Sequence, residues 1–165
     1  MGAGQIGLAI VRRMAFGKKI LVADKRLENA EGICQTLNEA GFDAEAFTMD
    51  LSCRADIQAV VARALELGDL TQLVCAAGVS PSQAPIETIL KVDLYGTAVL
   101  LEEVGKVIAN KGVGVVISSQ SGHRLPALTP EEDRQLATTP TKELLAFPLL
   151  QPDNIHDTSW PSDAT

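Results

Sequence analysis

Short apolar runs alternate with helix-type patterns along most of the chain, and this alternation is the strongest constraint on its fold. The apolar runs lie at 19–24, 44–49, 72–76 and 114–118, and segments with apolar residues at three- and four-residue steps separate them. Such alternation is typical of βαβ units and of a parallel sheet covered by helices. We therefore predict an α/β protein with a Rossmann-like, doubly wound parallel sheet.

The helical segments follow from the same pattern. Ser52 is the predicted N-cap of the third helix, and the uninterrupted apolar run 114–118 predicts a strand that is covered on both faces. The other helices are predicted at 5–16, 27–39, 86–110, 130–137 and 140–147.

Composition and charge exclude several classes of protein. Lys and Arg total 14 and Asp and Glu total 21, a net charge of −7, whereas nucleic-acid binding needs clustered Lys and Arg. The apolar runs are far shorter than the roughly 20 residues that span a bilayer, and the first residues do not resemble a signal peptide. The three cysteines show no CxxC spacing. We therefore expect no nucleic-acid or membrane partner, no metal site and a cytoplasmic location.

A glycine-rich motif opens the chain. Residues 2–7, Gly-Ala-Gly-Gln-Ile-Gly, match GxGxxG at the start of a predicted helix. Glycines there permit a tight turn and a close approach of the backbone to a pyrophosphate, which the helix N-terminus then binds. The predicted contacts of a dinucleotide are with Gly2, Gly4, Gln5, Ile6 and Gly7.

Asp24 ends the strand that follows this helix, twenty residues after Gly4. A carboxylate at this position is typical of a group that binds the ribose of a dinucleotide, and it would repel a 2′-phosphate. We therefore predict NAD as the cofactor. Lys25 and Arg26 leave NADP open, and the alternative for Asp24 is a solvated strand end.

Four segments together resemble the short-chain dehydrogenase/reductase family. Residues 2–7 resemble its glycine loop, although the family more often has TGxxxGxG. Asp50-Leu51 resembles the pair that contacts adenine, and 75–78 (Cys-Ala-Ala-Gly) resembles the family's NNAG segment with both asparagines replaced. Residues 118–122 resemble its serine segment. The resemblance covers 1–124 and implies hydride transfer between NAD(P) and an alcohol or carbonyl substrate.

The resemblance also implies roles for single residues. It places the cofactor against Asp50, Leu51, Ala76, Ala77 and Gly78. It makes Ser119 the catalytic serine, three residues before Gly122. Ser119 also follows a buried strand, at the end where α/β sheets bind ligands, and its hydroxyl can donate a hydrogen bond to a carbonyl oxygen as charge develops. The alternative is a serine that satisfies loop backbone.

Two helical residues bear on proton transfer. Asp93 matches the family's helix asparagine, whose backbone kink holds a water in a proton relay, and the aspartate changes the charge there. Tyr95 is the only tyrosine and is not followed by Lys four residues later, so we interpret it as packing or an interface. The family's YxxxK acid/base pair is therefore absent from this sequence. His123 and Arg124 could contact substrate or form a solvated loop.

The spacing of these motifs predicts a partial domain organisation. We assign 1–124 to a partial dinucleotide-binding domain, 125–148 to a helical substrate-loop insertion and 149–165 to an irregular tail. The first strand and the C-terminal part of the family fold are expected to be missing. The strands near Ile20 and Leu73 should then pair directly or bracket a gap, and their unpaired edges make a homo-oligomer possible.

Three functions remain open from the sequence. The first is a fragment of an oxidoreductase that acts on a small alcohol or carbonyl compound. The second is a non-catalytic dinucleotide-binding or oligomerisation module. The third is an inactive truncated gene product.

Overall fold

The computed structural model describes residues 1–120 and 127–151, and the chain divides into two compact units, 1–117 and 118–165. The domain boundary expected at residue 124 stays a prediction. The elements of the first unit are α1 (Gln5–Met14), β1 (Lys19–Asp24), α2 (Leu27–Glu39), β2 (Asp43–Thr48), α3 (Arg54–Leu67), β3 (Gln72–Cys75), α4 (Ile86–Ile89), a π-helical segment (Leu90–Gly96), α5 (Thr97–Gly105) and β4 (Val113–Val116).

The four strands of this unit form two parallel pairs. β1 pairs with β2, with Ile20 opposite Ala44, and β3 pairs with β4, with Leu73 opposite Gly114. Each pair is joined through helices, as parallel pairing requires. The parallel α/β architecture expected from the sequence is confirmed, as a sheet in two separate halves.

Side chains from opposite faces of β1 enter two separate hydrophobic clusters. Ile20 and Val22 belong to one cluster, which also contains Leu8 of α1 and Leu37 of α2. Ala23 belongs to the other, and its remaining buried members come mainly from α3, β3 and α5. The two faces of the sheet are therefore covered by different helices, which is the doubly wound arrangement.

A cavity of about 360 Å³ lies between β1 and β3. Met1 and Gly2 bridge the two strands at their carboxyl ends. The Met1 amino group donates to the Val74 carbonyl at 2.7 Å, and the Gly2 amide donates to the Ala23 carbonyl at 2.9 Å. The prediction that the strands near Ile20 and Leu73 either pair or bracket a gap is confirmed, and the outcome is the gap.

The structure corrects three local predictions. The helix predicted over 86–110 ends at Gly105 and contains the π-helical segment around Asp93. Ser52 is not the N-cap of α3, because Cys53 takes that position and the Ser52 hydroxyl donates to the Asp50 carboxylate instead. The strand predicted to be covered on both faces is largely exposed, with Val113 at 49% and Val115 at 37%. These two side chains point to the same face of β4, so that face is not covered.

The described part of the second unit is mainly helical. It contains α6 (Pro130–Thr138), α7 (Thr141–Leu144) and a 3-10 turn (Pro148–Leu150). Thr129 and Glu132 form a capping box that satisfies the first amides of α6. The predicted tail begins within this turn, and its residues 152–165 lie outside the described part of the chain. Within residues 1–120 and 127–151, no helix is long and apolar enough to cross a bilayer.

Candidate cofactor-binding site

The glycine loop lies at the carboxyl ends of β1 and β3 and requires glycine at two of its positions. Gly2 has a φ of +84°, and a Cβ there would lie 2.6 Å from the Ala77 amide nitrogen. At Gly7 a Cβ would lie 2.6 Å from the Gly2 carbonyl oxygen. Any side chain at either position would therefore push the loop away from β3 or from α1.

Gly4 differs from its two neighbours because it faces open space. A Cβ at Gly4 would meet no atom within 4 Å, and the residue is the N-cap of α1 with an extended backbone. Gln5 and Ile6 follow it and are exposed. The first amides of a helix have no acceptor within the helix, so this exposed turn presents N–H groups suited to an anion.

The Asp24 carboxylate holds the glycine loop and the start of α2 together. One oxygen accepts a hydrogen bond from the Ala3 amide at 2.9 Å. The other accepts from the Arg26 amide at 3.0 Å and from the Asn29 side chain at 3.2 Å. Asp24 is half-buried, and its carboxylate fixes the loop.

Asp50 follows β2 and is fixed by a neighbouring lysine and serine. Its carboxylate lies 2.7 Å from Lys25 Nζ and accepts bonds from the Ser52 amide at 2.9 Å and the Ser52 hydroxyl at 2.7 Å. Partial burial acts to raise the pKa of Asp50, but the bonds from Lys25 and Ser52 outweigh burial and hold that pKa below its usual range. Asp50 is therefore an anion that links the loop after β1 to the loop after β2.

Leu51 packs in the core of the first unit. Its side chain is 4% exposed and belongs to the cluster around α3 and α5. Its carbonyl oxygen lies so close to Gly96 that a Cβ there would collide with it. The residue thus brings the loop after β2 against the π-helical segment.

Asp93 lies in the π-helical segment and contacts the loop after β3. Its carboxylate accepts a hydrogen bond from the Val79 amide at 3.0 Å, and the same oxygen would lie 3.3 Å from a Cβ at Gly78. Burial raises the pKa of Asp93, and the bond from Val79 only partly opposes that rise. Asp93 therefore fixes the position of the loop that carries Ala76, Ala77 and Gly78.

The predicted site residues are divided between the two units. The glycine loop, Asp24, Asp50 and the Ala76–Gly78 segment all lie in the first unit at the carboxyl ends of its strands. Ser119 is exposed and belongs to the second unit, and the predictions for His123 and Arg124 lie outside the described residues. The assignments of cofactor and catalytic residues stay predictions.

Sequence reasoning missed several residues that shape the site. Asn29 fixes the Asp24 carboxylate, and Lys25 fixes the Asp50 carboxylate. Both are polar residues that closely follow the end of a strand, and this position was the signal that could have identified them. Tyr95 packs against the cluster around α3 and α5 and hydrogen-bonds Arg54, which agrees with its interpretation as packing. Among the described residues, no group of three or more His, Cys, Asp or Glu is placed to hold a metal ion.

Comparison with known proteins identifies the class to which this fold and glycine loop belong. The family described as short chain dehydrogenase matches residues 1–130. The chain therefore belongs to the short-chain dehydrogenase family.

Individual relatives agree with this assignment. The chain is 36% identical over 152 residues to a short-chain dehydrogenase/reductase, bsc3, of Alternaria brassicicola, covering 92% of this chain and 56% of that protein. It is 28% identical to levodione reductase of Leifsonia aquatica, covering 73% of this chain and 49% of the other. A short-chain dehydrogenase/reductase of Serratia marcescens is 26% identical with a TM-score of 0.67, covering 76% of this chain and 56% of that one. The chain spans about half the length of these relatives.

Proposed function

We propose that this chain binds a nicotinamide adenine dinucleotide, NAD in preference to NADP, over the glycine loop. The observation that carries the proposal is the contrast among the three glycines. Gly2 and Gly7 are closed in by backbone, while Gly4 opens onto space beside the exposed first turn of α1. This contrast fits a pyrophosphate that lies against Gly4 and accepts bonds from the amides of that turn.

The negative charge at the end of β1 favours NAD over NADP. Asp24 lies at the carboxyl end of β1, where its oxygens could accept bonds from the ribose hydroxyls, and its negative charge opposes a 2′-phosphate. Lys25 does not offset that charge at Asp24, since it is paired with Asp50 at 2.7 Å. The expected contacts of adenine are with the loops of Asp50 and of Ala76–Gly78.

Calorimetric titration with NADH tests this proposal through a pair of matched glycine variants. Gly4→Ala adds a methyl group at the proposed pyrophosphate contact, and Gly32→Ala adds one in α2, where a Cβ also meets nothing within 4 Å. Neither glycine has a positive φ, so both variants should fold. We expect saturable binding that Gly4→Ala weakens and Gly32→Ala leaves unchanged. Equal effects of both variants, or no binding by the parent chain, would refute the proposal.

We further propose that the protein serves an oxidoreductase reaction on a small alcohol or carbonyl compound. The bound cofactor supplies the hydride acceptor or donor. Ser119 would donate a hydrogen bond to the substrate oxygen as negative charge develops. The sequence has Val99 four residues after its only tyrosine, so Tyr95 does not match the family's tyrosine–lysine acid/base pair.

A second candidate function is a dinucleotide-binding module without catalysis. An assay with NAD over a panel of secondary alcohols separates the two functions. Turnover that falls on Ser119→Ala, with the NADH affinity unchanged, would support the oxidoreductase. Binding without turnover would support the module. Cys34 and Cys75 are buried as free thiols, which supports the proposal of a reducing, cytoplasmic location for either function.

A further inference from the structure

Lys25 lies directly after the strand that ends at Asp24, the carboxylate proposed to bind the ribose of a dinucleotide. Its side chain is 74% exposed, and its Nζ lies 2.7 Å from a carboxylate oxygen of Asp50. This bond is the main reason that the pKa of Lys25 lies above its usual value. Among residues 1–120 and 127–151, Asp50 is the only ion-pair partner of Lys25. One contact with the loop after β2 therefore sets the position of this ammonium group.

Asp50 is held more firmly than Lys25. One oxygen of its carboxylate accepts hydrogen bonds from the Ser52 amide at 2.9 Å and from the Ser52 hydroxyl at 2.7 Å. Its own amide donates to the Asp56 carboxylate at 2.9 Å. A lysine, by contrast, carries its charge on a flexible four-carbon stem. Asp50 is thus the fixed member of the pair, and it determines where the lysine side chain lies.

The pairing cancels a positive charge that Lys25 would otherwise bring to the end of β1. Two cations, Lys25 and Arg26, follow Asp24 in the chain. The Arg26 guanidinium donates to the side-chain oxygen of Asn29 at 2.9 Å, and a neutral amide does not offset its charge. Lys25 is instead neutralised by Asp50. The carboxylate of Asp50 is therefore a control on how much positive charge lies beside Asp24.

We propose that Asp50 is a positioning residue for the choice of cofactor, because it holds Lys25 away from the 2′ position of the adenine ribose and so keeps the site selective for NAD over NADP. Without this carboxylate, Lys25 would be free to turn toward a 2′-phosphate and to form a charge-assisted hydrogen bond with it. The inference rests on the proposed binding of a nicotinamide adenine dinucleotide. It adds to that proposal a residue that sets the preference through its neighbour.

The ratio of two affinities separates this role from the other roles of Asp50. Its carboxylate also links two loops, and adenine is expected to lie against the second of them. Loss of either function would weaken NADH and NADPH alike, because the two nucleotides differ only in the 2′-phosphate. A change in the ratio of their affinities therefore reports on the charge near that phosphate.

Calorimetric titration of the full 165-residue chain with NADH and with NADPH tests the inference. Asp50→Asn keeps the size of the side chain and removes its charge. We expect this variant to raise the affinity for NADPH relative to that for NADH about tenfold, the lower end of the range for one hydrogen bond to a charged group. In the double variant Asp50→Asn/Lys25→Met the ratio should return to that of the parent chain, since no lysine is left to release. Asp50→Glu keeps the charge and should retain the parent ratio.

Asp43→Asn is the matched control for a change in net charge. Asp43 pairs with Lys19 at 2.6 Å, so this variant also removes a carboxylate from a lysine and changes the net charge by the same amount. Lys19 begins β1 and Asp24 ends it, which separates them by about 17 Å at 3.3 Å per residue. This distance exceeds the Debye length of about 8 Å at physiological salt. We therefore expect Asp43→Asn to leave the ratio unchanged.

The possible outcomes separate this inference from the proposed function. An unchanged ratio in Asp50→Asn, a rise that Asp43→Asn reproduces, or a rise that persists in the double variant would overturn the inference and leave dinucleotide binding intact. A parent chain that binds neither nucleotide would refute the proposed function and this inference with it. Urea unfolding establishes that each variant folds, and Asp50→Ala, which also lacks the charge, repeats the test if Asp50→Asn does not fold.

Discussion

Replacing Gly2 by alanine tests how tightly the glycine loop is packed against β3. Two features of the site should destabilise the variant. The alanine must adopt the positive φ of +84°, and its new Cβ would lie 2.6 Å from the Ala77 amide nitrogen. Gly41 is the matched control, because its φ is also +84° but a Cβ there meets nothing within 4 Å. The difference between the two variants isolates the contact with Ala77.

The expected magnitudes follow from these two costs. A left-handed backbone costs an alanine about 1–2 kcal/mol, and this is the whole expected loss in the free energy of unfolding for Gly41→Ala. Gly2→Ala must also displace the main chain at Ala77, which cannot turn aside as a flexible side chain can. By analogy with overpacking, this displacement costs about 1–3 kcal/mol more. Because backbone, not a flexible side chain, opposes the new methyl group, the extra loss should be measurable.

Urea unfolding followed by circular dichroism gives both values, and NADH titration of the same variants links the loop to ligand binding. We expect Gly2→Ala to unfold at the lower urea midpoint and to lose NADH affinity, while Gly41→Ala retains it. Equal midpoints for the two variants would show that the loop moves aside at no cost, and the argument from close packing would fail.

Three carboxylates yield further predictions, each measured against Asp43→Asn or Asp43→Ala as an exposed control. Asp24→Ala removes the acceptor for the Ala3 amide and should lower the free energy of unfolding by about 1–3 kcal/mol; a loss no larger than that of the control would contradict this role. The pKa of Asp50 is lowered by Lys25 and Ser52 despite partial burial, so its contribution is present above the unfolded pKa of about 3.9 and disappears as pH falls through the lower folded value. Asp50→Asn should therefore lower the urea midpoint at pH 7, and this effect should shrink as pH falls below the unfolded pKa of about 3.9. The pKa of Asp93 is raised by burial, so ionisation of this carboxyl weakens the fold as pH rises. Asp93→Asn should stabilise the chain at pH 7 relative to its effect at about pH 3, and a pH-independent effect would refute this.

The sequence predicts best the elements whose local signals agree with one another. The strand Lys19–Asp24 and the helix Leu27–Glu39 have the predicted bounds, since an apolar run followed by a helical pattern and Gly41 leaves little freedom. The glycine motif likewise predicts that α1 begins at Gln5. In each of these cases the apolar pattern, the helix boundary and the glycine position indicate the same structure.

The features that could not be predicted depend on contacts distant in sequence. The π-helical segment contains no glycine or proline before Gly96, and it lies where Asp93 bonds Val79 and Leu51 approaches Gly96. The exposure of Val115 depends on whether another element covers its face of β4, which no local pattern can state. Asp24 was predicted for its charge, but its bond to Ala3 is a tertiary contact.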